Sequence, residues 1–197
     1  MNYLKTKKVV DAKANRTFVV EELEKIFNIE LLLVRGQILI EYVFTSFIEN
    51  YSTEDDYRLD DKFPFYSKFQ ICRLLGLYTE KDTALIEQIN VINKMRNDIA
   101  HKLTFDRTLL PNLYKHHNGL KQEVKKKKLK GEAKDRYMLV MIFGSLCGNF
   151  SGRAAAVNTV HNTISDFVLG KTVGSGRNFA EILQQDIADL KLAISQE

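Results

Sequence analysis

The sequence predicts an all-α protein, an antiparallel bundle of about five to seven helices. Three observations predict it. Apolar residues recur at threes and fours through most of the chain, the spacing of helices that bury one face. Only two prolines, Pro64 and Pro111, occur in 197 residues, so few helices need be interrupted. No segment alternates apolar and polar residues well enough to read as a strand.

The elements follow in order. Residues 1–15 are polar and basic, and are expected to be loosely ordered. Residues 17–51 read as one long helix, with Phe18, Leu23, Ile26, Phe27, Leu31, Val34, Ile38, Val43, Phe47 and Ile48 at helical spacing. Within it, Gly36 marks a close helix crossing or a slight bend. Residues 52–61 hold five acidic side chains and read as a loop. Pro64 suits the first turn of a helix over 65–75, which Gly76 stops. Thr79, followed three residues later by Asp82, is a weak capping box for a helix over 80–101.

Pro111 opens a short helix over 112–124. Lys125, Lys126, Lys127 and Lys128, followed by Lys130 and Gly131, read as an exposed, mobile junction. A helical pattern resumes from 133 to about 169. Gly144, Gly148, Gly152 and the alanines 154–156 form a small-residue face there, which admits a close neighbour or marks a break near 148–152. Residues 170–176 are a glycine-containing loop without phosphate-loop spacing. Residues 178–197 hold a final amphipathic helix with Phe179, Ile182, Leu183, Ile187, Leu190 and Ile194 on one side. The whole of 1–197 reads as one domain.

Composition excludes several classes. With 45% hydrophobic residues the chain has enough for a real core. Cys72 and Cys147 each lie in an apolar helical pattern, which favours buried free thiols and a cytoplasmic protein, and leaves no cysteine-based zinc site. Lys5, Lys7 and Lys8 are followed by Asp11, Lys13 and Asn15 instead of an apolar core, so no secretory leader is expected. No uncharged run is long enough to span a membrane, and no membrane partner is expected. A net charge of +4 permits contact with nucleic acid without demanding it.

The chemistry concentrates in Arg96-Asn97-Asp98-Ile99-Ala100-His101. Histidine exchanges protons near neutral pH, and arginine grips phosphate oxygens bidentately. A ribonuclease that needs no metal uses little more than a proton shuttle and a cation for the charged phosphorane. Asn97 and His101, four residues apart, share a helix face, whereas Arg96 and His101 lie about 140° apart. The competing explanation is structural: an arginine and a histidine in a last turn complement the negative end of any helix.

The flanking residues sharpen the expectation. The segment from Phe69 ends in Leu75-Gly76-Leu77. The next helical pattern, from Leu85, ends in Arg96-Asn97 and Ala100-His101 and is followed by Phe105-Asp106. Together these resemble the HEPN superfamily, in which an Arg, four to six intervening residues and a His close a core helix. They resemble most its mannitol operon repressor branch. The resemblance covers roughly residues 18–115 and is strongest between 63 and 106. Leu103 stands where some toxin members carry a tyrosine. The resemblance implies a homodimer that brings two Arg–His helices into one composite cleft and cuts RNA without metal or other cofactor. Arg96 would stabilise the phosphorane, His101 move the proton, and Asn97 position one of them. The repressor branch implies instead a non-catalytic regulatory module that binds RNA or protein, with an antitoxin or regulator as a further partner.

Other candidates are weaker. Glu41, between Ile40 and Tyr42, is either a carboxylate facing Arg96 and His101 or a surface residue. Arg35, beside Gly36, is equally ambiguous. His116 and His117 point to different sides of any helix, and with His161 and His101 they form no metal-ligand spacing, so no metal site is expected. The run Lys125–Lys128 could grip RNA backbone but lacks interleaved aromatics. Ser145 and Ser151 lie near glycines without a nucleophile elbow.

Overall fold

The computed structural model describes residues 12–51, Leu59 and 63–168. Among them are seven α-helices, one short 3₁₀ turn and no strand. The helices are α1 (Ala12–Glu24), α2 (Ile29–Tyr51), α3 (Phe65–Leu74), α4 (Thr83–Lys102), α5 (Leu110–Tyr114), α6 (Asn118–Lys126) and α7 (Gly131–Val168), with the 3₁₀ turn at Arg107–Leu109. The all-α expectation holds for these residues. The expected loop at 170–176 and the expected helix at 178–197 lie outside them.

The spine is α7. At 38 residues it is ~57 Å long, and it is continuous where a break near Gly148 was the alternative. Its small-residue face receives α1. A Cβ on Gly144 would stand 2.6 Å from Val20 Cγ2, one on Gly148 3.1 Å from Arg16 Cβ, and one on Gly152 3.4 Å from Ala12 Cβ. As α1 numbers rise, α7 numbers fall, so the two helices are antiparallel. Against another face of α7, Gly36 meets Phe143, Phe44 meets Phe150 edge-on at 4.8 Å, and Tyr51 stacks on His161 at 4.2 Å. There both numbers rise together, so α2 runs parallel to α7. Gly36 thus marks a close crossing. Phe44 also touches Phe65 and Phe69 of α3, both at 5.7 Å, which joins α3 to the same apolar core.

The expected long helix over 17–51 is two helices. Residues 12–15, expected to be loose, are already helical, and Asn15 donates to Ser151 Oγ at 3.0 Å. The chain breaks at 25–28, where Asn28 Oδ1 accepts from Leu31 N–H at 2.7 Å as the cap of α2. Arg136 of α7 closes the end of α1 by donating to the carbonyls of Glu24 and Ile26. Its guanidinium lies 4.4 Å from the centre of the Phe27 ring. Phe27, one of the residues at helical spacing in the expected long helix, is 76% exposed. By length and composition alone α2 could cross a membrane, yet 56% of its apolar stretch is buried inside the bundle.

Gly76 ends α3 with φ +85°, where a side chain would be strained. Leu77 N–H bonds the Cys72 carbonyl and Gly76 N–H that of Arg73, so the last carbonyls are satisfied. The next helix starts at Thr83, three residues later than expected. The turn before it is tied by Asp82 Oδ2, which accepts from Thr79 N–H at 2.8 Å and Thr79 Oγ1 at 3.2 Å. The expected helix over 112–124 is divided as well. Pro111 lies in the first turn of α5, and the chain bends at 115–117 before α6, because His116 and His117 turn back to Glu87 and Gln88 of α4.

Candidate functional site

Helix α4 carries the candidate residues in its last two turns. Leu85, Gln88, Ile89, Ile92 and Met95 are its buried positions. Arg96, Asn97 and His101 are exposed. Arg96 Nη1 donates to Asn97 Oδ1 at 3.5 Å, the outer limit of a hydrogen bond, and His101 bonds no described residue. The structure brings Arg96 and Asn97 together. It does not bring His101 to either of them within one chain.

The end of α4 is unusual. Leu103 is the cap residue with φ 60° and ψ 6°, and its N–H bonds the Ile99 carbonyl at 2.9 Å. Glycine normally fills such a left-handed position, because a Cβ there crowds the backbone. The Leu103 side chain is 87% exposed, so no burial offsets that crowding. Two residues on, Phe105 is buried, and Asp106 Oδ1 accepts from Thr108 N–H at 2.9 Å and Thr108 Oγ1 at 2.7 Å. The Phe-Asp pair is therefore a fixture: Phe105 anchors the chain in the core and Asp106 caps the 3₁₀ turn that follows α4. Lys102 reaches back one turn to Asp98 at 2.8 Å, which raises its pKa.

The other candidates have separate roles. Glu41 faces neither Arg96 nor His101: it accepts from Lys68 Nζ at 2.8 Å. The Lys68 side chain is only 6% exposed, and a buried ammonium needs a countercharge. Lys68 sits between Phe65 and Phe69 in the apolar pattern of α3, and that position is the sequence signal for this partner. Arg35 is half-buried on α2.

Lys125, Lys126, Lys127 and Lys128 are exposed, as expected, but they form an ordered helix end. Leu129 N–H bonds the Val124 carbonyl and Lys128 N–H that of Lys125, with Lys128 at φ 54°. Lys127 Nζ lies 4.4 Å from the centre of the Tyr137 ring.

The remaining histidines make separate contacts. His116 Nε2 lies 3.0 Å from Glu87, which also pairs with Lys115. His117 Nε2 lies 2.6 Å from Gln88 Oε1, while Gln88 Nε2 donates to the Ala84 carbonyl. With the amide so oriented, His117 donates from Nε2 and its Nδ1 holds the lone pair. Burial, with His116 and Lys121 nearby, pushes its pKa down. Among the described residues no three His, Cys, Asp or Glu side chains gather as a metal site.

A cavity of about 370 Å³ opens at the far end of α4, lined among others by Lys81, Asp82, Gln88, His117, Ser145 and Arg153. Asp82 holds Arg153 there at 2.8 Å, a pair with no sequence signal, and its carboxyl lies well below the usual carboxylate range through that bond and those from Thr79. None of Arg96, Asn97 and His101 lines this cavity. No known protein family, curated protein or solved structure matches the chain.

Proposed function

We propose that this chain is a metal-independent endoribonuclease of HEPN type, working as a homodimer in the cytoplasm. The observation that carries the reading is the exposure of Arg96, Asn97 and His101 on one solvent-facing stretch of α4, with His101 free of any partner among the described residues. A histidine that only fastened a helix end would spend its ring nitrogens on backbone or side-chain groups. These nitrogens are unspent. In the reaction, the ribose 2′-hydroxyl attacks the adjacent phosphorus and loses its proton, and the 5′-oxygen of the next nucleotide leaves and gains one. The products are a 2′,3′-cyclic phosphate and a 5′-hydroxyl. His101 moves the proton, Arg96 faces the phosphorane oxygens, and Asn97 orients Arg96. A second copy supplies the other His101, and Lys125–Lys128 hold the RNA backbone.

One observation favours the alternative, a non-catalytic regulatory module of the mannitol repressor kind. Within a single chain Arg96 and His101 diverge by about 140°, and neither lines the cavity at the far end of α4. A single experiment separates the two readings: incubation of a panel of structured and unstructured RNAs with the protein in excess EDTA. The enzyme leaves 2′,3′-cyclic phosphate ends, and His101→Ala reduces the rate by roughly 10²–10⁴-fold. An uncut panel, with a His101→Ala variant that melts many degrees lower, establishes the regulator.

A further inference from the structure

We propose that α4 carries a base-reading track for single-stranded RNA, formed by Asn90, Asn93 and Asn97 with Lys94 among them and leading to His101. This rests on the reading of His101 as a residue that faces RNA. Around the helix axis, Asn90 and Lys94 lie about 20° from His101, Asn97 about 40° and Asn93 about 80°. Asn90, Lys94, Asn97 and His101 are exposed, and Asn93 is half-exposed. From Asn90 to His101 the stripe runs ~16 Å along the axis, enough for a few nucleotides of an extended strand.

The stripe is expensive for the helix. Asparagine is a poor helix former, because its amide competes for nearby backbone groups. Each one in a helix interior is roughly 0.5 kcal/mol worse than alanine. None of the three caps α4, whose cap is Asp82. Asn90 and Asn93 bond no described residue, and Asn97 makes only the long contact to Arg96. Three unfavourable residues on one face therefore return nothing to the fold that the structure displays.

Their chemistry matches one occupant. A side-chain amide offers an acceptor and two donors, the pattern that pairs two-point with an adenine edge. Duplex RNA hides those edges in a deep groove, whereas single strands expose them. The local charge fits a phosphate backbone. Glu87 is paired with Lys115 and His116, and Asp98 with Lys102, while Lys94 makes no salt bridge but lies near enough to Asp106 to help hold its carboxyl below the usual range, and Arg96 has no ion-pair partner among the described residues. Lys94, Lys102 and Arg96 thus outnumber Asp98 and Asp106 by one charge, and the surface is mildly cationic with unpaired amides.

The test uses the full-length protein and labelled 2′-O-methyl oligonucleotides, oligo(A) and oligo(U) of equal length, which lack the 2′-hydroxyl and cannot be cut. The wild type is expected to prefer oligo(A) by about ten-fold. Asn90→Ala/Asn93→Ala is expected to bring that preference close to one, with an unchanged salt slope and an equal or higher Tm. Lys94→Gln is expected to weaken both oligonucleotides alike and to lower the salt slope by about one. Binding without base preference, or a double variant that keeps the preference, overturns the track and leaves the RNA reading standing. A lower Tm in the double variant assigns the asparagines to the fold and also overturns it. A wild type that binds neither oligonucleotide overturns the track and the RNA reading together.

Discussion

Gly36 of α2 lies so close to Phe143 of α7 that a Cβ built on it would stand 2.5 Å from the ring's Cδ2. Phe143 is fully buried and cannot swing away. Gly36→Ala therefore meets two opposed effects: a gain of about 0.8–1 kcal/mol in helix propensity, and an overpacking cost of about 1–3 kcal/mol. The clash is expected to win, with Tm falling by a few degrees. Gly119 of α6 is the control, since a Cβ there meets nothing within 4 Å. Gly119→Ala should raise Tm slightly. Calorimetry on the two variants checks the pair, and equal shifts would remove the close crossing.

His117 makes the fold sensitive to mild acid. Its pKa is lowered by burial, so the folded state favours the neutral ring more than the unfolded state does, where the ordinary value is ~6.5. Between the two values the unfolded chain binds more protons. Stability therefore falls as pH drops through the unfolded value, and the loss is complete below the folded one. Urea unfolding at pH 7.5 and 5.5 should show the decline, and His117→Gln should flatten it. An equally steep decline in the variant would place the effect elsewhere.

Leu103 is held in a left-handed conformation with its side chain in water. Leu103→Gly should relieve roughly 1 kcal/mol of backbone strain, offset in part by the greater freedom of glycine in the unfolded chain. A small rise in Tm is expected for the isolated chain. Light scattering on the same variant reads the second possibility: a dimer weakened alongside the higher Tm would make Leu103 a contact between copies.

The run Lys125–Lys128 can be tested by charge. Replacing all four with glutamine should weaken RNA binding and lower the salt slope by up to about four. It also removes the contact of Lys127 with Tyr137, of about 0.5–1 kcal/mol. An unchanged slope with a slightly lower Tm would leave the run as a solvated helix end.

Much of the helical order was legible because local chemistry and apolar spacing agreed. Gly76 ends α3 where a positive φ was needed, and the glycines at 144, 148 and 152 receive α1 as small residues do. The missed breaks have two causes. Ile26 and Phe27 continue the apolar rhythm across the turn between α1 and α2, and that rhythm hides the Asn28 cap. At 115–117 the bend depends on His116 and His117 reaching residues far away in sequence. Glu41 went to Lys68 for the same reason: a buried charge chooses its partner in three dimensions. Arg96, Asn97 and His101 were legible as residue types. Their exposure, and the asparagine stripe they extend, became visible only when the buried side of α4 was known.

The seating of α1 in the small-residue face of α7 sets a waiting time. Asn15 and its partner Ser151 are 136 residues apart. During synthesis at ~5–20 residues per second, α1 emerges on the order of ten seconds before the surface it covers exists. Closing so long a loop costs conformational entropy before any contact offsets it. Contacts of such long sequence separation slow folding. Until α7 is complete, Val19, Leu23 and the apolar face of α2 stand open to water. The nascent chain is therefore a natural client for a chaperone, and truncations within α7 should aggregate instead of folding to a smaller bundle.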